Sequence, residues 1–190
     1  LGRRGTPAEL TGSVRKAAAA GVTNFSADLI IGIPGQSKHS LAESIEFCAA
    51  SGARHVSAYL LKTEPGTPLY ENRLSLAFQD DDAMCDLYLF ACERLEQEGF
   101  AQYEISNFAL PGFESRHNLK YWRLADYLGL GPGAHSFLAG ERFHYPRDLG
   151  RFISSGEKSP DGPGGDFGEY LMLALRLNED RPARAEAAKS

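Results

Sequence analysis

Two short apolar runs thirty residues apart, with a helical pattern between them, constrain this chain more than any other feature. Phe25-Ser-Ala-Asp-Leu-Ile-Ile-Gly-Ile33 is rich in β-branched residues towards its end and closes on Pro34-Gly35, the pattern of a strand running into a turn. His55-Val-Ser-Ala-Tyr-Leu-Leu61 is a second run of the same kind. Between them Leu41, Ile45, Cys48 and Ala49 recur at helical spacing, the Ser40-Leu-Ala-Glu43 segment has the form of a capping box, and Gly52 ends the pattern. Strand, helix and strand over that distance form a βαβ unit, which implies parallel pairing and a right-handed crossover. The expected fold class is therefore α/β.

Period two sorts each strand into faces. Phe25, Ala27, Leu29, Ile31 and Ile33 lie on one side of the first, with Ser26, Asp28, Ile30 and Gly32 on the other. In the second, His55, Ser57 and Tyr59 oppose Val56, Ala58 and Leu60. Strands of an open doubly wound sheet are buried on both faces and read as continuous apolar runs. One polar face per strand instead predicts a barrel or partial barrel around a polar ligand, bound near the strands' C-terminal ends at Gly32–Gln36 and Leu61–Glu64. Asp28 is the most informative acid, because a carboxylate within an apolar strand is costly unless donors or a ligand meet it. Tyr59 is a second candidate ligand on such a face.

The rest of the chain follows the same logic. Ala8 to Ala20 is a helix stopped by Gly21, Lys62 to Gln79 a long loop, and Asp80 to Gly99 a helix with acidic residues in its first turn. Tyr127 to Phe137 carries Gly129, Gly131 and Gly133, so its backbone turns sharply or approaches something closely, without the Gly-x-Gly-x-x-Gly spacing of a dinucleotide fingerprint. Arg142 to Tyr145 reads as a short strand, Asp148 to Ile153 as a short helix, Ser154 to Gly165 as a linker, and Asp166 to Leu177 as an apolar helix opened by a second capping-box pattern. Arg181 to Ser190 reads as a frayed tail.

Charge and cysteine usage exclude several classes. With 20 basic against 25 acidic residues and no basic block, the electrostatic footprint of a nucleic-acid binder is missing. No apolar run reaches the roughly 18–20 residues of a membrane span, and the chain is expected to be cytoplasmic. Cys48, Cys85 and Cys92 lack metal-ligand spacing and read as core thiols in a reducing compartment.

Tyr103 to Trp122 holds the single Trp with two Tyr, two Asn, an Arg and a His in twenty positions, a density that asks for a ligand. In His117-Asn-Leu-Lys-Tyr-Trp122, helical spacing sets His117 beside Tyr121 and Asn118 beside Trp122. A neutral imidazole ligates iron well and flat rings suit a planar macrocycle. His135 and His144 are further candidates.

The ordered blocks Asp28-Leu-Ile-Ile-Gly-Ile-Pro-Gly-Gln36, His55-Val-Ser-Ala-Tyr59, Glu64-Pro-Gly-Thr67, Tyr103-Glu-Ile-Ser-Asn-Phe-Ala109, His117-Asn-Leu-Lys-Tyr-Trp122 and Gly129-Leu-Gly-Pro-Gly-Ala-His135 resemble those of HemW-type proteins. These are radical S-adenosylmethionine proteins related to the oxygen-independent coproporphyrinogen III oxidase HemN. The resemblance implies a partial (β/α) barrel of the radical S-adenosylmethionine type with a smaller, truncated α+β C-terminal region. It divides the chain into barrel (1–110), the region of the His-Asn-x-x-Tyr-Trp motif and glycine-rich segment (111–165), and the start of a helical domain (166–190).

The resemblance also implies function. Heme is expected at His117, as iron ligand, with Asn118, Tyr121 and Trp122; S-adenosylmethionine is expected near Asp28, Ile30 and Tyr59. The expected activity is that of a heme chaperone handing heme to a heme-accepting respiratory protein, a class that includes membrane-associated proteins. The alternative is coproporphyrinogen III oxidase chemistry. Two departures stand out. Gly5 occupies the His position of the family's Arg-x-His pattern beginning at Arg3, and the Cys-x-x-x-Cys-x-x-Cys motif that holds the family's 4Fe-4S cluster, with its Gly-Gly-Thr-Pro segment, is absent from these residues. In the family both lie upstream, so radical catalysis is not expected of this portion alone.

Overall fold

The structure, a computed structural model, describes residues 6–178; the expectations for Gly5 and for the 181–190 tail lie outside them. The chain divides into two compact units, one ending at Glu114 and one beginning at Ser115.

The first unit begins with α1 (Pro7–Ala19), whose N-terminus is closed by a Thr6/Glu9 capping box, followed by β1 (Ser26–Ile31), α2 (Lys38–Ala50) and β2 (His55–Leu60). β1 and β2 pair in parallel, as the βαβ spacing predicts, with Ser26 opposite His55, Asp28 opposite Ser57 and Ile30 opposite Tyr59. Helix α2 starts earlier than the Ser40–Glu43 pattern predicts. Ser37 is the N-cap and exchanges hydrogen bonds with Ser40, because the Pro34-Gly35 turn has already ended at Gln36.

Within the expected loop from Lys62 to Gln79, Thr67 caps a single turn, α3 (Pro68–Glu71), and a 3-10 turn covers Arg73–Ser75. Then α4 (Asp81–Gln97), capped by Asp80, leads to β3 (Ala101–Glu104) and β4 (Asn107–Ala109). The stretch from Ala101 to Ala109 is therefore a tight hairpin. The sheet order is β1-β2-β4-β3, two parallel strands extended by an antiparallel pair. The turn is held by the Glu104 carboxylate, which accepts from the Ser106 amide at 3.0 Å and from the Asn107 side chain.

Helices α2 and α4 cover one face of this sheet. Leu29, Ile31, Val56, Ala58 and Phe108 from the strands meet Leu41, Ile45 and Cys48 from α2 and Leu87, Ala91 and Leu95 from α4, all buried. That burial supplies the main stabilisation of the unit, at about 25 cal/mol per Å² of apolar surface removed from water.

The second unit comprises α5 (Arg116–Trp122), β5 (His135–Leu138), β6 (Glu141–His144), α6 (Leu149–Ser155), β7 (Ser159–Pro163) and α7 (Phe167–Ala174). Its strands form an antiparallel sheet in the order β5-β6-β7. The segment expected to be a linker thus contains a strand. Pro160 and Pro163 fit because β7 is an edge, where a missing amide donor costs nothing. Asp166 caps α7 as its sequence predicts, but Glu169 reaches the Gly165 amide and Arg142 instead of its own N-cap. Phe167 and Met172 on α7 and Leu175 at its C-cap stand exposed. Among the described residues no helix is long and apolar enough to cross a membrane.

The β5–β6 connection is a two-residue turn in which Ala139 and Gly140 both take positive φ, 50° and 82°. A type I′ turn requires this, and an L-residue with a Cβ pays roughly 1–2 kcal/mol for it, less for Asn. Ala139→Asn is expected to raise stability by a few tenths to about 1 kcal/mol, seen as a higher urea midpoint at unchanged slope.

Candidate functional site

Two places bring the sequence candidates together, one in each unit. In the second unit Ser115 caps α5 by accepting from the Asn118 amide at 3.3 Å, and the helix presents His117 and Tyr121 on one side. The Tyr121 hydroxyl and His117 Nε2 lie 3.0 Å apart, with the two rings edge to face at 5.0 Å. Tyr127 packs edge-on against Tyr121 at 4.5 Å. Its backbone bridges to Phe137, which fixes the approach of the glycine-rich segment to β5.

These groups line an open cleft of about 640 Å³. Leu128, Leu130 and Leu138 give it apolar walls, Lys120 and Asp126 bring charge, and His135 reaches it from β5. The glycine-rich segment makes the wall possible. A Cβ on Gly129 would sit 2.2 Å from the His135 carbonyl oxygen, so the two backbones can meet only at glycine. The Gly129 amide donates to Ser136 Oγ at 3.0 Å.

Asn118 and Trp122 do not line this cleft. Trp122 faces a smaller cavity of about 270 Å³ with Leu124, Phe137 and Leu173, and the Arg176 guanidinium lies 4.2 Å from its ring centre. Its indole Nε1 is buried without a hydrogen-bond partner among the described residues. The neighbouring aromatic ring beyond Tyr121 is thus Tyr127, which helical spacing within the motif could not have found.

In the first unit, Asp28, Ile30 and Tyr59 share the sheet face that α2 and α4 leave uncovered. Asp28 is exposed there, so the burial cost that made it conspicuous in the sequence does not arise: among the described residues of this unit nothing covers that side of β1.

His55, placed by period two on the same face as Tyr59, is held within the sheet. It is 6% exposed and both ring nitrogens are engaged, Nδ1 with Ser26 Oγ at 2.7 Å and Nε2 with the Tyr103 hydroxyl at 2.8 Å. Beside it, Glu104 and Asn107 are buried, and Asn107 Oδ1 has no hydrogen-bond partner among the described residues. The line Ser26–His55–Tyr103 locks β1, β2 and β3 together across the sheet. Only the pairing of β3 with β4 reveals it, because Tyr103 lies far from His55 in sequence.

Burial pushes the His55 pKa below its ordinary value, against the opposing pull of the Asp28 and Glu104 charges. The folded chain therefore holds a neutral imidazole that the unfolded chain, with an ordinary value of 6.5, protonates more readily. Its contribution to stability is complete above about pH 6.5 and is lost as pH falls towards the depressed folded value. Urea midpoints measured from pH 8 to pH 5 are expected to fall more steeply below pH 6.5 in the native protein than in His55→Phe; equal slopes would remove His55 as the cause.

No family model matches the sequence. The chain is 41% identical over 200 aligned residues to the heme chaperone HemW of Mycobacterium tuberculosis, a match that takes in all of this chain and 51% of that protein. It is 33% identical to the heme chaperone HemW of Escherichia coli, covering 96% of this chain and 50% of the relative. A mitochondrial radical S-adenosyl methionine domain-containing protein 1 from Danio rerio is 40% identical over 112 residues, 58% of this chain and 25% of that one.

Among solved structures, the radical SAM enzyme coproporphyrinogen III oxidase (HemN) of Escherichia coli superposes with a TM-score of 0.66 over 82% of this chain and 40% of its own, at 18% identity. That likeness establishes the fold as a portion of the radical S-adenosylmethionine type. The chain spans about half the length of the curated relatives it matches; in sequence it is similar to HemW proteins over nearly all of its own length, and in fold to a portion of HemN.

Proposed function

We propose that this chain carries the heme-holding portion of a cytoplasmic heme chaperone, with His117 as the iron ligand, and that the whole protein passes heme to a heme-requiring respiratory protein. The observation that carries the reading is the cleft itself: His117 stands at its wall beside Tyr121 and Tyr127, three leucines offer an apolar bed for a macrocycle, and Lys120 is placed to meet a propionate. Its volume falls within the roughly 300–1,000 Å³ of small-molecule sites. At Asn118 the backbone amide is engaged, donating to the Ser115 cap, and Trp122 faces the smaller cavity beside α5.

Asp28, Ile30 and Tyr59 are proposed to meet S-adenosylmethionine on the open sheet face. An iron-sulfur cluster does not fit the cysteines present. Cys48 is in the core of α2, Cys85 and Cys92 lie seven apart on α4, and burial raises the thiol pKa of Cys48 and of Cys92, which disfavours the thiolate a cluster needs. No radical step is assigned to this chain.

Hemin titration tests the reading. The chain is expected to give a saturable shift of the Soret band that His117→Ala abolishes, and an unchanged titration in that variant would overturn the assignment.

A further inference from the structure

The three-stranded sheet of the second unit gathers a cluster of groups that the heme reading does not use as a set. His135 on β5 and His144 on β6 are direct cross-strand partners, with ring centres 5.0 Å apart. Asp161 on β7 reaches both: Oδ2 lies 3.0 Å from His135 Nδ1 and Oδ1 lies 2.6 Å from His144 Nδ1. One ligand atom from each residue falls within 4.8 Å of the other two.

The placement of Asp161 comes from an irregularity in the sheet. Phe143 pairs with Pro160 and Arg142 with Gly162, so Asp161 is the extra residue of a bulge. Bulges turn a side chain out of the regular alternation and recur beside functional sites. Here the bulge carries a carboxylate to a position between two imidazoles that the β5–β6 register has already set side by side. Burial opposes ionisation of Asp161, yet the hydrogen bonds from His144 and His135 hold its carboxyl below the ordinary value.

We propose that His135, His144 and Asp161 form a binding site for a divalent transition metal of the zinc class, with both Nδ1 atoms and the carboxylate as ligands. The donor set is the main argument. Two imidazoles and one carboxylate suit zinc, cobalt or nickel and are foreign to calcium and magnesium, which take oxygen ligands. Three protein ligands leave a further position for water or another donor, as in open zinc sites. At Zn–N and Zn–O bonds of about 2.0–2.2 Å, tetrahedral ligands stand roughly 3.3 Å apart, so only small side-chain movements separate the observed spacings from a coordinated set.

Proton bookkeeping is equally simple. In the absence of metal, the Nδ1 protons point at the carboxylate. On binding, each neutral imidazole moves its proton from Nδ1 to Nε2 by exchange with solvent, a ring that is protonated on both nitrogens releases its Nδ1 proton to solvent, and the freed Nδ1 lone pair meets the ion, with no oxidation or reduction. All three ligands ride on paired strands of one sheet, so the site is fixed by backbone hydrogen bonds. The proposal stands without the heme reading, since neither His117 nor Tyr121 takes part.

Cobalt(II), titrated as the chloride into tag-free, chelator-treated chain, is the probe. The expected result is one equivalent bound, with visible d–d absorption of a four- or five-coordinate ion, displaced by Zn²⁺. His144→Gln, His135→Gln and Asp161→Asn should each weaken binding at least about tenfold, the lower end of what even outer partners contribute to metal sites. His39→Gln, an exposed histidine paired with Glu43, should leave it unchanged. Zn²⁺-dependent shifts of the His135 and His144 ring proton resonances give a readout in the unaltered protein, independent of whether the variants fold. Absence of a stoichiometric cobalt spectrum overturns the proposal, as does an isotherm that His144→Gln and Asp161→Asn leave in place, or a Zn²⁺ response confined to other histidines.

Discussion

Replacing Phe108 with alanine is expected to destabilise the unit that ends at Glu114 by about 3–5 kcal/mol. Phe108 is 1% exposed and lies at the middle of β4, opposite Val56 on β2 and Gln102 on β3. It belongs to the cluster in which α2 and α4 close over the sheet, so truncation removes the apolar transfer energy of the ring and leaves a cavity that a close-packed interior fills only in part. A small domain holds about 5–15 kcal/mol in total, so the loss takes a large share of it. Phe108→Leu keeps most of the volume and should cost well under half as much. Urea unfolding followed by far-UV circular dichroism reads both. A loss below about 1 kcal/mol for the alanine variant would mean that the β3–β4 hairpin does not seal this core.

That hairpin marks the limit of what sequence could reveal about the fold. The parallel pair was legible because Leu29 and Ile31 alternate with Asp28 and Ile30, and Val56 and Ala58 with Ser57 and Tyr59, and each alternation corresponds to a covered and an open face. The turn between Glu104 and Asn107 carries no Gly or Pro. It is made by Glu104 folding back onto Ser106 and Asn107, a side-chain device without a compositional signature. β7 was hidden for the opposite reason: its prolines and glycine read as a loop, and only its place at a sheet edge makes them acceptable in a strand.

The candidate site divides in the same way. His117 and Tyr121 were legible from spacing on one helix, because four residues is a local distance. Tyr127, the leucines of the glycine-rich segment and Asp161 come to their places through β5 and its partners, and the register that brings them there is a property of the folded sheet. Asp28 was conspicuous for a cost that depends on a covering layer, and its face of the sheet is open.

His117→Ala is expected to weaken hemin binding by more than the roughly 10–100-fold that loss of an orienting partner costs a metal site, since it deletes the proposed iron ligand itself. Tyr121→Phe separates the ways in which that ligand could work. The Tyr121 hydroxyl lies 3.0 Å from His117 Nε2, so coordination through Nε2 must first break this hydrogen bond. Such a bond is worth about 0.5–1.5 kcal/mol net, and its removal should strengthen binding by roughly two- to tenfold if Nε2 meets the iron. If Nδ1 is the ligand atom, the hydroxyl instead orients the ring from behind, and Tyr121→Phe should weaken binding towards the 10–100-fold range of orienting partners. Tyr121→Phe retains the ring that packs on Tyr127, so α5 and the cleft wall stay in place while the hydroxyl alone is tested. A Tyr121→Phe affinity equal to that of the native chain, together with an unchanged His117→Ala isotherm, would remove this helix from heme binding.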